Sequence, residues 1–325
     1  MDFYEQIPNI VITDKGKQIC SLTERQIPSC LNEGILPIRG TIMRTMLKPN
    51  GELVTINNHN IHIYRQGNIN HPKLIFMSGS GTVAPVYNFK MLYEKLQNDF
   101  RIIVLEKFGY GYSDIFEASC DIDNLVSMQK QALDLVGEKG PYILVSHSMS
   151  GLEAIRWKQK YPEDIQAIIG IDMATPLTYG NWTDKEVAKR IKLIKRSHTL
   201  KLHKIPGCYP LNNRCLTEEE RKQQKLLMKR NAFNHCYSNE AKEVLTNAKI
   251  VRENGKIDCP MLLFSSNGKE TSKNWVKSQQ EFAAEMDAKL LCYNCGHYMH
   301  YYKSHDICKE IKEFIMRLSG NKIEA

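Results

Sequence analysis

Short apolar runs alternate with segments of helical periodicity along most of this chain of 325 residues, and this alternation restricts the folds open to it. The predicted strand segments are 54–64, which reads as one or two strands around an Asn-rich turn, and 74–77, 101–105, 142–145, 167–171, 261–264 and 290–295. The predicted helices are 89–96, 122–136, 151–160, 271–286 and 307–318. Strands that are separated by crossover helices pair in parallel. The sequence therefore predicts an α/β fold with a mostly parallel central sheet flanked by helices.

The alternation is interrupted once, by a segment that shows helices and loops but no strand signal. This segment, 177–258, separates the fifth and sixth of the seven predicted strand segments. We therefore predict one α/β core that is formed by 51–176 and 259–325, with a helical insertion at 177–258. Residues 1–50 are treated as an N-terminal extension, because their weak periodicity indicates no particular structure.

The charge of the chain is concentrated in the insertion. Lys and Arg number 44 and Asp and Glu 36, and the insertion alone has 18 basic and 9 acidic residues, so it carries the whole excess. Within it, 185–204 has eight Lys or Arg, with Val187, Ile191 and Ile194 at helical spacing, which predicts a basic amphipathic helix. No nucleic-acid partner is predicted. A solvated face, attraction of an anionic substrate and weak contact with an anionic membrane surface all stay open.

Cysteine usage and the start of the chain bear on compartment and on metal binding. The ten cysteines are scattered through a chain that is large enough to fold without disulfides. Residues 1–15 lack the basic and apolar regions of a signal peptide, and no apolar run approaches the length of a spanning helix. We expect a cytoplasmic protein with free thiols. Its one CxxC pair, Cys292 and Cys295, lacks a second ligand pair, so no metal site is predicted.

A serine lies where a predicted buried strand runs directly into a predicted helix. The strand 142–145 is followed by SHSMSG, with Ser148 in the middle, and then by the helix. In the G-x-S-x-G motif such a serine occupies a sharp turn that presents its hydroxyl at the top of the sheet. Here the flanking glycines are replaced by Ser146 and Ser150, with glycine one place later at Gly151. The strand and helix on either side favour Ser148 as a nucleophile, although the motif is broken.

With these residues the chain resembles the α/β-hydrolase family over about 54–175 and 260–318. Residues 106–114, EKFGYGYSD, resemble the family's D-x-x-G-x-G-x-S turn, with Glu106 in place of the usual Asp. Gly296-His297, after the last predicted strand, resembles the family's catalytic Gly-His pair. The resemblance implies that Ser148 is the nucleophile, that His297 is the base, and that the insertion is a helical cap or lid over the site.

The acid of the implied Ser-His-acid triad has two candidates. Asp172 ends an apolar strand in GIDMATP, which is similar to the G-L-D-x-A-x-P stretch of lipases whose Asp is the acid. Glu270 is the only carboxylate in the loop after 261–264, where the family more often places its acid. We favour Asp172, with Glu270 as the alternative. The family position also implies an oxyanion hole formed by the backbone N–H groups of Met149 and Ser80.

The implied reaction is hydrolysis of a carboxylic ester, or a related small acyl compound, through an acyl-enzyme and without cofactor or metal. An aminopeptidase of the proline-iminopeptidase kind is the nearest alternative, although its usual G-G-S-W-G-like elbow differs from residues 146–151. Cofactor-free haloperoxidase or lyase chemistry would use the same triad. A non-catalytic α/β-hydrolase scaffold that binds a small ligand or partner is the alternative of another class. The sequence does not fix the oligomeric state.

Overall fold

The computed structural model describes residues 11–12, 19–20, 46–202, 211, 214–318 and 320. The chain forms two compact units, Met1–Lys48 and Pro49–Ala325. In the first unit, Val11–Ile12 pairs antiparallel with Ile19–Cys20. Most of the predicted N-terminal extension, 1–50, and residues 203–204 of the predicted basic segment lie outside the described residues.

An eight-stranded sheet forms the centre of the second unit. Its strands are β1 (Glu52–Ile56), β2 (His59–Gln66), β3 (Lys73–Met77), β4 (Arg101–Glu106), β5 (Tyr142–His147), β6 (Ile165–Ile171), β7 (Met261–Ser265) and β8 (Lys289–Cys292). They lie in the order β8-β7-β6-β5-β3-β4-β2-β1. The strands from β8 to β4 are parallel, whereas β2 and β1 are antiparallel to their neighbours. The predicted α/β fold with a mostly parallel sheet is confirmed.

Helices follow the strands and flank the sheet. They are α1 (Pro85–Asn88), α2 (Lys90–Leu96), α3 (Ile122–Leu135), α4 (Ser150–Lys160), α5 (Asp184–Thr199), α6 (Glu218–Asn231), α7 (His235–Glu253), α8 (Trp275–Glu285) and α9 (Ser304–Leu318). Short 3₁₀ helices occur at Pro162–Asp164, Pro176–Tyr179 and Met299–Tyr301. In α9 the buried residues Ile307, Ile311 and Ile315 recur every fourth position, as its apolar stripe predicts.

The structure decides one prediction that the sequence left open and corrects another. The segment 54–64, predicted as one or two strands around an Asn-rich turn, belongs to the two strands β1 and β2, which are joined by a tight turn in which Asn57 and Asn58 adopt φ of 52° and 62°. The buried strand predicted at 290–295 is wrong in length and in burial. It ends at Cys292 and is half-buried or exposed, because β8 has a neighbouring strand on one side only.

The hydrophobic core joins the sheet to a helix of the predicted insertion. Ile75, Leu144 and Ile168, from three central strands, are fully buried in one cluster. Three residues of α7, Val244, Ala248 and Val251, belong to the same cluster. The apolar face of α7 is therefore buried together with residues of the sheet. The boundaries of the insertion, 177–258, stay a prediction.

A buried group of charges also connects α7 to the sheet. The Lys107 ammonium, just after β4, lies 2.6 Å from a carboxylate oxygen of Glu153 on α4 and 2.8 Å from one of Glu240 on α7. All three side chains are at most 5% exposed. The Tyr110 hydroxyl donates a hydrogen bond to Glu240. Burial alone would lower the pKa of Lys107, but the two carboxylates raise it above its usual value, so the lysine stays charged.

We expect Lys107→Met to lower the free energy of unfolding by about 3–5 kcal/mol, because it leaves two carboxylates buried without their cation. Urea unfolding measures the change. Lys249→Met is the matched control, since it removes the same charge from the exposed Lys249–Glu253 pair on α7, which should contribute less than about 1 kcal/mol. Equal losses for the two variants would contradict a structural role for the buried group.

Candidate active site

The turn between β5 and α4 holds Ser148 in an unusual backbone conformation. Its φ is 55°, which a serine adopts at a cost of roughly 1–3 kcal/mol. The turn is fixed by hydrogen bonds to the segment that directly follows β6: Ala174 N–H donates to the Ser148 carbonyl oxygen at 2.7 Å, and Ser148 N–H donates to the Asp172 carbonyl oxygen at 3.2 Å. The serine is therefore held at the carboxyl end of the sheet.

The structure explains how this turn forms without the usual flanking glycines. The Ser150 hydroxyl donates to the Met77 carbonyl oxygen at 2.8 Å and accepts the His147 backbone N–H at 3.1 Å. The turn therefore accommodates this side chain, where the motif has a glycine, by forming two hydrogen bonds with it. A Cβ atom on Gly151 would lie 2.2 Å from the Ala174 carbonyl oxygen. The position that tolerates no side chain is thus Gly151, one residue later than in the motif.

Ser148, His297 and Asp172 form one hydrogen-bonded line. The Ser148 hydroxyl oxygen lies 2.9 Å from His297 Nε2, and His297 Nδ1 lies 2.6 Å from Asp172 Oδ2. The Asp172 side chain is fully buried, and the His297 side chain is 15% exposed. The structure therefore brings together the predicted nucleophile, base and preferred acid, which come from three separate loops.

The surroundings of Asp172 keep it ionised and oriented. Its Oδ1 accepts the Ser266 backbone N–H at 2.8 Å and the Trp275 indole N–H at 2.7 Å, which leaves Oδ2 for the histidine ring. Burial raises the pKa of Asp172, but the hydrogen bonds from His297, Ser266 and Trp275 outweigh burial and hold it below its usual value. An ionised Asp172 requires the proton on Nδ1 of His297, so Nε2 is free to accept one from Ser148.

The alternative acid, Glu270, lies against the backbone rather than the ring. Its Oε2 accepts the His297 backbone N–H at 2.9 Å. A Cβ atom on Gly296 would lie 2.4 Å from its Oε1, so the glycine of the Gly-His pair makes room for this carboxylate. Glu270 therefore fixes the loop that carries His297 and does not contact the imidazole.

Two contacts of the site have no signal in the sequence. His147 packs its ring against that of His297 with centroids 4.7 Å apart, and its Nε2 lies 3.3 Å from the His297 carbonyl oxygen. Burial lowers the pKa of His147 to about 3, so the ring is neutral and can donate from Nε2. The second is Trp275, whose bond to Asp172 joins residues 103 positions apart. Neither long-range contact has a local pattern that could have revealed it.

A cavity of about 140 Å³ opens above the line of three side chains. Its walls combine loop residues with residues of α5, α7 and α8: Ser80, Ser148, Met149, Thr178, Tyr179, Trp182, Val187, Arg190, Ala241, Val244, Glu270, Thr271, Ser272, Trp275 and His297. Both predicted oxyanion residues, Ser80 and Met149, are among them. A Cβ atom on Gly79 would lie 2.5 Å from Ser148 Cβ, so this glycine allows the loop after β3 to approach Ser148.

The described residues show neither a candidate metal site nor a candidate membrane-spanning helix. In the part of the chain that the structure describes, no three His, Cys, Asp or Glu side chains are grouped so that they could hold a metal ion. The predicted CxxC residues, Cys292 and Cys295, are free thiols. No helix among the described residues has both the length and the apolar character that are needed to cross a bilayer.

Comparison with known proteins points to the same fold family as the strand order and the turn at Ser148. The model of the alpha/beta hydrolase fold family matches residues 73–190. The uncharacterized protein YbdG of Bacillus subtilis strain 168 is 30% identical over 286 residues, which cover 84% of this chain and 88% of YbdG.

Solved structures with the same architecture include an enol-lactonase from Burkholderia xenovorans LB400, with a TM-score of 0.62 and 16% identity over 82% of this chain and 100% of the lactonase. The bromoperoxidase from Bacillus anthracis has a TM-score of 0.65 and 14% identity over 81% of this chain and 99% of that protein. The resemblance inferred from the motifs is thereby confirmed, and the chain belongs to the α/β-hydrolase family.

Proposed function

We propose that this protein is a serine hydrolase that cleaves a carboxylic ester, or a related acyl compound, through an acyl-enzyme on Ser148. The observation that carries the proposal is the distance of 2.9 Å between the Ser148 hydroxyl and His297 Nε2. A serine hydroxyl is a weak nucleophile at neutral pH and needs a base within hydrogen-bond reach. The ionised Asp172 on the other ring nitrogen supports His297 in that role.

The proposed reaction proceeds in two halves. Ser148 attacks the carbonyl carbon while its proton moves to His297, and the oxyanion is stabilised by the backbone N–H groups of Met149 and Ser80. His297 then protonates the leaving alcohol, which departs and leaves the acyl group on Ser148. Water attacks this ester, with His297 again taking a proton, and the carboxylic acid is released. Asp172 stabilises the imidazolium in both halves.

The cavity favours short acyl groups. Its volume of about 140 Å³ is small beside the roughly 300–1,000 Å³ of common ligand pockets. Trp182, Val187 and Val244 supply apolar lining. The structural similarity to an enol-lactonase supports a carboxylic ester as the substrate, because a lactone is a cyclic ester.

An aminopeptidase is the second candidate, because one carboxylate lines the cavity. Glu270 is available there to pair with the free α-ammonium group of a peptide substrate. The bond that Glu270 already accepts from the His297 backbone makes this less favourable than ester hydrolysis. The two functions differ in the leaving group and in the charge that they require next to the scissile bond.

A panel of substrates tests the proposal. We expect the protein to hydrolyse p-nitrophenyl acetate and butyrate faster than the decanoate, because the cavity is small, and to leave aminoacyl p-nitroanilides almost unchanged. Release of nitrophenol and nitroaniline is followed by absorbance. Preference for the anilides would favour the aminopeptidase. Absence of turnover by folded protein on the whole panel would favour a non-catalytic binding protein and overturn the proposal.

A further inference from the structure

One wall of the cavity carries a guanidinium group. Arg190 lies on α5 three residues after Val187, and both line the cavity that contains Ser148. Residues three apart on a helix are neighbours on one face. The face of α5 that contributes an apolar contact to the cavity therefore also contributes a positive charge, although much of Arg190 is exposed to solvent.

Arg190 differs from three arginines that lie on or near the sheet, because it has no anionic partner among the described residues. Arg65, Arg101 and Arg156 each lie within about 3.1 Å of a carboxylate oxygen. Within the described residues, Arg190 makes neither a hydrogen bond nor an ion pair. A planar guanidinium has five N–H donors, so this side chain can bind an anionic group of a ligand in the cavity.

The positive charge of Arg190 influences the pKa of two tyrosine hydroxyls near the site. Burial raises the pKa of Tyr179 and Tyr298, the latter to about 12, and the positive charge of Arg190 opposes that rise in both. Tyr179 lines the same cavity. Tyr298 directly follows His297 in the chain. The charge of Arg190 therefore acts toward the catalytic side of α5.

We propose that Arg190 binds a carboxylate of the acyl substrate, so that the preferred substrates are short esters with a second, ionised carboxyl group. The inference rests on the proposed ester hydrolysis at Ser148. A guanidinium binds a carboxylate through two parallel N–H···O bonds, which fixes direction as well as charge. The substrate's ester group would then lie at Ser148 while its free carboxylate lies at α5.

Other charges around the cavity agree with this orientation. Glu270, the only carboxylate among the described residues that line the cavity, accepts the His297 backbone N–H and would repel an anion placed near the histidine loop. The surrounding segment 177–258, with 18 basic and 9 acidic residues, attracts anions from solution. Both effects favour an anionic group at Arg190 rather than near His297.

The experiment compares pairs of esters that have the same number of acyl carbons. Monoethyl succinate, glutarate and adipate carry a terminal carboxylate, whereas ethyl butyrate, pentanoate and hexanoate do not. Ethanol release gives kcat/KM for each. We expect the protein to prefer the best of the charged esters over its neutral partner, and Arg190→Met to lower that preference by about 10- to 100-fold, mainly through KM. The readout is the ratio of kcat/KM for the charged ester to that for its neutral partner, because a change in the cavity wall that affects both esters alike cancels in this ratio.

The matched control is Lys189→Met. It removes one positive charge from the adjacent, exposed position of α5, which does not line the cavity. We expect it to change the preference by less than about threefold, since an exposed charge is screened by salt. Equal effects of the two variants would overturn a direct contact with Arg190. Hydrolysis of neutral esters without preference for the charged ones would overturn this inference alone, whereas hydrolysis of none would overturn the proposed function.

Discussion

Replacement of Ser148 by alanine should lower kcat for p-nitrophenyl acetate by about 10⁶-fold, which is the effect of removing the nucleophile of a serine hydrolase triad. In the proposed reaction the acyl-enzyme forms on the hydroxyl oxygen that lies 2.9 Å from His297 Nε2, so the substitution removes the atom to which the acyl group would bond. A fluorophosphonate probe tests the same atom, because it forms a covalent bond with the oxygen of an activated serine. We expect it to label the wild-type protein at Ser148 and to leave Ser148→Ala unlabelled.

Ser272→Ala is the control for this experiment, because Ser272 also lines the cavity but lies outside the triad. It should keep its labelling and most of its turnover. Labelling of Ser148→Ala at the wild-type rate, or mass-spectrometric detection of the probe on another residue, would show that the nucleophile has been misassigned.

Asp172→Asn should lower kcat by about 10⁴-fold, which is the scale observed when the acid of such a triad becomes an amide. The amide cannot accept and orient the Nδ1 proton as the carboxylate does at 2.6 Å, so the ring takes the wrong tautomer for accepting a proton from Ser148. Glu270→Gln should cost less than about tenfold, because an amide oxygen can still accept the His297 backbone N–H.

The comparison is made on kcat/KM and kcat for the same short ester, with thermal unfolding to verify that each variant is folded. Thermal unfolding matters for Asp172→Asn, since the new amide must also meet the donors of Ser266 and Trp275. Full turnover by Asp172→Asn together with loss in Glu270→Gln would reverse the roles of the two carboxylates.

The placement of Ser148 and His297, the proposed nucleophile and base, could be predicted from the sequence because each belongs to a local pattern. Ser148 lies between a strand and a helix that are adjacent to it in the chain, and His297 follows a glycine after the last strand. The acid could not be fixed in the same way. Asp172 is 125 residues from His297, and its orientation depends on a tryptophan 103 residues away. Only the folded chain shows that Glu270 meets the backbone instead of the ring.

The strands were predicted accurately where they are buried on both faces and so appear as continuous apolar runs, as at 142–145 and 261–264. The prediction was less accurate at the sheet edge, where β8 has one neighbouring strand and its apolar residues are half exposed. The position of Arg190 in the cavity wall could not be predicted from the sequence either. The sequence places it among eight basic residues of 185–204, and the packing of α5 determines that its side chain lines the cavity.

The buried contact of Lys107 with Glu153 and Glu240 has a consequence for exchanging parts between family members. Two of these residues belong to the elements that follow β4 and β5, and the third belongs to α7. A chimera that takes residues 177–258 from a relative inherits Lys107 and Glu153 from one parent and their partner from the other. Such a graft should keep the stability of its parents only if the donor supplies a carboxylate at the position of Glu240, so residues 177–258 and the sheet of this protein are expected to evolve as a matched pair.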